Sequence, residues 1–167
     1  RFEGCISLLN DIVVNKNLLD KDKNLSLEEF VYWIPVLFKG TFEGNGFKIS
    51  GLRGNYGLFM ELGNIYGGNV APTFVKNLGV TDSYFSGKVV GGIAATIGGP
   101  VQMNNVYTDV SVHAEDYAGG LIGSVFLAPD ECVTAMRPAL NATQYAGKSV
   151  YEVITHGTKP MRTSSIR

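Results

Sequence analysis

The central stretch of the chain, Phe38 to Phe126, repeats itself. At a shift of 28 residues, Lys48-Ile49-Ser50-Gly51-Leu52 falls on Lys76-Asn77-Leu78-Gly79-Val80. Asn77-Leu78 falls on Asn105-Val106, and Gly91-Gly92-Ile93-Ala94 falls on Gly119-Gly120-Leu121-Ile122. Gly57-Leu58-Phe59 meets Gly92-Ile93-Ala94 only at a shift of 35, so the first copy reads as seven residues shorter, in the loop after Leu52. Periods of about 20–50 residues mark solenoids, propellers and arrays.

Each copy is made of short runs: Val75–Val80, Val89–Ile97, Val101–Val112 and Tyr117–Phe126. They hold Val, Ile, Leu, Tyr and Phe, interrupted by Gly and Asn, and read as strands joined by tight turns. A unit of this length suits one coil of a parallel β-helix, with about three short strands stacked ~4.8 Å from their counterparts in the next coil. One coil cannot bury its own inner face, and stacking makes the core continuous. In that register Asn77 and Asn105 stack, Gly91 lies over Gly119, and Ile93 lies over Leu121 inside the core.

The segments FKGTFEGNGFKISGL (38–52), YGLFM (56–60), VKNLGV (75–80) and GGIAATIGG (91–99) resemble the GLUG-repeat family. NNVYTDVSV (104–112) and AGGLIG (118–123) fit the same pattern, so the resemblance covers about 89 of the 167 residues. Glu43 stands where the family has Asp, and Met60 and Ala95 where it has Gly. The resemblance implies a right-handed parallel β-helix in a secreted or surface-attached bacterial protein. It implies adhesion or surface display. A W-x-P segment, here Trp33-Ile34-Pro35, also precedes the first repeat in that family.

The expected fold is therefore all-β, a right-handed parallel β-helix (solenoid) with short helical caps. Residues 1–37 form an N-terminal strand, loop and capping helix. Residues 38–126 form the repeats, and residues 127–167 a C-terminal cap and tail. Ile6–Asn15 reads as a strand and Asn15–Asn24 as a polar loop. Ser26-Leu27-Glu28-Glu29 has the form of a capping box and predicts a helix from Leu27 to about Tyr32, stopped by Pro35. Pro129-Asp130-Glu131 predicts a second helix over 130–136, and the alternation in 148–155 a further strand.

Net charge is −1, which supplies no basic field for nucleic acid or an anionic membrane. No apolar run reaches the ~20 residues of a membrane span. The chain begins at Arg1, which suggests a processed chain or a piece of a longer one. The two cysteines, Cys5 and Cys132, lie near opposite ends of the sequence. Two separate buried thiols are expected, with a disulfide as the alternative.

Several motifs point to chemistry and fall short of it. Asp20, Asp22, Asn24 and Ser26 have the spacing of a calcium loop, but Leu25 and Val31 occupy positions that need Gly and Glu. Gly44-Asn45-Gly46 is followed by strand residues rather than the helix a phosphate loop needs; it reads as a tight turn with positive-φ positions. Parallel β-helices host polysaccharide lyases and hydrolases, and the acids that could pair in such a site are Asp82, Asp109, Glu115 and Asp116. At the 28-residue shift Asp82 aligns with Val110 and Asp109 with Thr81, one residue out of phase, which sends the side chains to opposite faces. His113 aligns with Phe85 and stands alone. No catalytic group, metal site or cofactor is expected.

Binding is the remaining reading. Trp33, Tyr56, Tyr66, Tyr84, Tyr107 and Tyr117 are candidate contacts for a glycan or a surface protein, because aromatic rings stack on sugar rings and on partner side chains. At the 28-residue shift Tyr84 meets Val112 and Tyr107 meets Gly79, so no tyrosine ladder is expected. Trp33 reads alternatively as a lid over the core. The expected function is a non-catalytic adhesion or display module at the cell surface or outside the cell. One alternative is a homo-oligomer stacking end to end into a filament, since a solenoid's ends are unpaired strand edges. A β-helix carbohydrate-active enzyme is the other.

Overall fold

The computed structural model describes residues 1–63 and 71–125. Ten strands form one sheet, every named strand pair is parallel, and the described residues contain no helix. β1 (Phe2–Ser7) lies beside β3 (Leu37–Glu43), with Phe2 opposite Phe38. Thr41–Glu43 of β3 lies beside Phe74–Lys76 of β7 (Thr73–Gly91), and β7 lies beside β9 (Val101–Gly119). A second track stacks β2 (Ile12–Val13), β4 (Lys48–Ser50), then Gly79–Thr81 of β7 and Tyr107–Asp109 of β9. A third stacks β5 (Arg53–Gly54) on Tyr84–Phe85. A fourth stacks β6 (Phe59–Leu62), β8 (Ala94–Ile97) and β10 (Ile122–Val125). β1 to β8 therefore each pair with a strand later in the chain.

The inner positions of these tracks share one core. Phe42 lies against Val75, Ile49 against Val80, and Phe59 against Ala94, all buried. The rings of Phe38, Phe42 and Phe59 pack face to face and edge to face, with centroids 5.0–6.0 Å apart. Each such side chain stabilises the fold by about 1.5–3 kcal/mol through removal from water. From residues 1–37, β1 belongs to the same sheet and Leu8 joins the same core.

The register departs from the 28-residue repeat in defined places. Lys48 pairs with Gly79, not Lys76, so the first repeat is offset by 31 there. Before the turn the offset is 33, at Glu43–Lys76, and the turn at Gly44–Phe47, two residues longer than its successor, brings it down to 31. Asn45 and Gly46 have φ of 54° and 82°, and the Phe47 N–H closes the turn on the Gly44 carbonyl at 2.9 Å. The offset of 35 at Phe59–Ala94 holds, but the shortening is four residues and follows Gly54, which pairs with Phe85. A bulge at Asp82 (φ 47°) changes the β7–β9 offset from 28 to 27 over Ser83–Gly87. A second irregularity before Val89–Tyr117 restores 28.

The expected helix at 27–32 is absent. Its capping serine is otherwise engaged: Ser26 Oγ donates to the carbonyls of Asn17 (2.7 Å) and Leu18 (3.2 Å). The Asn15 amide then stands in for a strand, accepting from Val31 N–H at 2.8 Å and donating to Val31 O at 2.9 Å. That holds the segment extended, and Tyr32 bridges to Arg53 in parallel. A six-residue helix lacks the length to outweigh these contacts. The N-terminal strand also differs: Phe2–Ser7 and Ile12–Val13 replace one run over 6–15. Cys5 is exposed rather than buried, because it lies on the outer side of an edge strand. Leu121 stacks over Ile93, whose N–H donates to its carbonyl at 2.9 Å, but is 39% exposed, on the last strand-bearing turn of the described chain. Cys132, the helix at 130–136 and the strand at 148–155 lie outside the described residues.

Candidate binding strip on the outer face

Strand alternation sends Leu52, Gly54, Ser83 and Phe85 inward and leaves Arg53 and Tyr84 outward. Tyr32, Arg53, Tyr84 and Ser111 are consecutive register partners across four neighbouring segments. Their side chains form one strip. The Arg53 guanidinium lies 4.9 Å from the centre of the Tyr84 ring and 5.5 Å from those of Tyr32 and Phe30. Cation–π contacts of this kind contribute about 0.5–1 kcal/mol where exposed and more where dry. His113 stacks on Tyr84 with centroids 5.0 Å apart, and its Nε2 is 3.1 Å from Ser111 Oγ. The Tyr32 hydroxyl bonds the Asn55 side chain.

Of the tyrosines singled out in the sequence, only Tyr84 belongs to this strip. The bulge at Asp82 pairs it with Ser111 rather than Val112, and His113 with Ser86 rather than Phe85. Trp33 is half-buried against the core, and its indole N–H donates to Leu58 O at 2.9 Å. Tyr107 folds its ring back over Gly79, where an added Cβ would meet the ring at 2.4 Å. Tyr56 and Tyr117 are exposed, and no ring contact joins them to the strip. Tyr66 lies outside the described residues. Phe30, Tyr32, Arg53 and His113 were not evident from the sequence. Three of them depend on extended structure at 30–32 and on a strand at Arg53–Gly54, and the fourth on the bulge.

The acids do not converge. The Asp82 carboxylate accepts from the backbone N–H groups of Leu18 (3.0 Å) and Leu19 (2.9 Å). Asp109 pairs with Lys23 Nζ at 2.8 Å. Both fasten the 17–26 loop to the sheet. Asp20 spends one carboxylate oxygen on the N–H groups of Asp22 and Asn24, at 2.9 and 2.8 Å, closing the turn that resembled a calcium loop. Among the described residues no group of three or more His, Cys, Asp or Glu is placed to hold a metal ion.

A second outer feature is an amide ladder. Asn105 Nδ2 donates to Asn77 Oδ1 at 3.0 Å, and Asn77 Nδ2 donates to Glu43 Oε1 at 2.9 Å. Gly91 pairs with Gly119. An added Cβ on Gly91 would meet the Ala94 carbonyl at 2.2 Å, so the chain passes too closely for a side chain there.

Compared with known proteins, the chain matches no family model, no curated protein and no solved structure.

Proposed function

We propose that the chain is a non-catalytic adhesion or surface-display module of an extracellular bacterial protein, wound as a right-handed parallel β-helix of the GLUG-repeat kind. It binds a glycan or protein partner through the Tyr32–Arg53–Tyr84–His113 strip. The winding is supported by the connections between parallel partners, which themselves carry strands. Parallel sheets ordinarily need crossover helices that cover both faces. Here the described chain has none, and the tracks bury their apolar sides against each other. Tyr107 and Tyr117 leave large rings in solvent besides the strip.

The observation that carries the binding reading is the outward register of Tyr32, Arg53 and Tyr84 on adjacent strands. Flat aromatic surface beside unused polar donors is what saccharides and partner side chains engage. The test is retention of beads coated with the chain on bacterial and host cell surfaces. Tyr32→Ala and Tyr84→Ala should abolish retention, while Tyr56→Ala, away from the strip, leaves it intact. Equal retention by all variants would reject the strip as the contact.

One observation favours a second reading, end-to-end stacking into a filament. Among the described residues β1 and β2 are each paired on one side only, and Phe2, Ile12 and Val13 there are exposed. Such edges accept further strands. Concentration-dependent growth in light scattering, with rods in electron micrographs, would favour this reading; a monomer at all concentrations would exclude it.

A further inference from the structure

Arg53 is a half-buried cation with no counter-charge among the described residues. The ion pairs of the described residues join Arg1 and Lys39 to Glu3 and Lys23 to Asp109, and none reaches Arg53. Its Nη1 donates to Gly54 O at 3.1 Å. Its Nε is buried and donates to nothing, the one buried side-chain nitrogen or oxygen in the described residues left so. Three aromatic faces attract the charge but offer no lone pair in the guanidinium plane. A guanidinium is a planar fork that suits a carboxylate, and a charge removed from water without such a partner is costly. Nη2 has no protein partner and is not among the buried unsatisfied atoms, so it opens to solvent.

The surroundings of Nη2 are selective. Tyr32 presents an open ring, 45% exposed, whereas Tyr84 lies between Arg53 and His113. The Tyr84 hydroxyl makes no hydrogen bond within the described chain, and Ser111 and His113 add polar groups on the next strand. We infer that the strip takes an acidic saccharide, with a sugar carboxylate on Arg53 Nη2 and the sugar ring packed on Tyr32. This rests on the reading of the strip as a binding surface and names its ligand class. The exposed Tyr32 ring beside the cation favours a sugar over an acidic peptide.

The experiment is calorimetric titration of the unmodified chain with trigalacturonic acid and sialyllactose, each beside its carboxyl-reduced neutral form, and with a polyglutamate peptide. Binding of an acidic form and loss on carboxyl reduction are expected, with affinity falling as salt rises. Arg53→Gln should weaken that binding about 10- to 100-fold, the change that follows loss of a hydrogen bond to a charged group. Arg53→Lys, which keeps charge but not the fork, should recover part of it. Equal binding of acidic and reduced sugars would overturn the acidic specificity and leave the strip as a glycan site. Binding of polyglutamate alone, or of none of the probes, would overturn the saccharide inference. Cell retention lost in Tyr84→Ala would still support the strip in either case. The comparison of acidic with reduced sugar uses the unmodified chain, so it stands even where an Arg53 variant fails to fold.

Discussion

Asn105 Nδ2 donates to Asn77 Oδ1 at 3.0 Å, joining two side chains 28 residues apart in the chain. Both residues sit in the left-handed region, with φ of 54° and 51°, which Asn tolerates better than most. Asn77 passes the pattern on to Glu43, so the ladder crosses three strands in one direction. Asn77→Gly keeps the backbone conformation and removes the amide, and should cost about 1–2 kcal/mol. Asn77→Ala also pays for the left-handed φ, about 1 kcal/mol more. Urea unfolding with an unchanged slope would report both values.

Glu43 makes the ladder pH-dependent. The Asn77 amide first and then the Asn45 N–H hold its carboxyl below the ordinary value; desolvation opposes them, and the Lys76 charge adds the least. A depressed folded pKa gives stability that is present above the unfolded pKa and lost as pH falls through the folded one. The thermal midpoint should therefore drop as pH is lowered from the ordinary glutamate value of 4.5, and Glu43→Gln should flatten that part of the curve.

Glu61 works in the opposite sense. Burial between β3 and β8 raises its carboxyl above the ordinary value. A raised folded pKa favours the native state at low pH, and this benefit disappears as pH rises through the folded value. Glu61→Gln should stabilise the chain at pH 7 and change little well below the ordinary glutamate pKa. Thermal melts of the two chains at both pH values decide it; destabilisation at pH 7 would show that the ionised group has a partner that matters more than its burial.

Two glycines separate tolerant from intolerant close approaches. A Cβ on Gly79 would meet the far end of the Tyr107 ring at 2.4 Å, whereas on Gly44 it would meet the Asn77 backbone carbonyl at 2.3 Å. The exposed Tyr107 ring is able to swing away, and the backbone is not. Gly79→Ala should cost about 1 kcal/mol or less, and Gly44→Ala about 1–3 kcal/mol. The Tyr107→Ala background should remove the first cost and leave the second.

The repeat made the parallel tracks readable in advance, because Asn77-Asn105 and Gly91-Gly119 are separated by a strand-pairing distance in sequence. The all-β character followed from residue types. Other features depended on contacts between distant parts of the chain. A capping box predicts a helix only if nothing else uses its serine, and Ser26 bonds Asn17 and Leu18 instead. Asn15 holds Val31 extended from 16 residues away. At the Asp82 bulge Leu18 and Leu19 present two N–H groups to the carboxylate, and a bulge of one residue changes the neighbours of Ser83–Gly87 until the second irregularity restores the register. Tyr84 was therefore visible as an outward aromatic, while its partners Arg53, Tyr32 and His113 were not.

The Tyr84–His113 ring contact tests the register and the strip together. With rings selectively protonated in an otherwise deuterated chain, nuclear Overhauser effects between Tyr84 and His113 should be strong, in keeping with centroids 5.0 Å apart, and should vanish in Tyr84→Ala. An uninterrupted 28-residue offset would instead put His113 beside Phe85 in the core and Tyr84 beside the methyls of Val112. Effects of that second pattern, with none between the two rings, would contradict the bulge at Asp82 and remove the strip built on it.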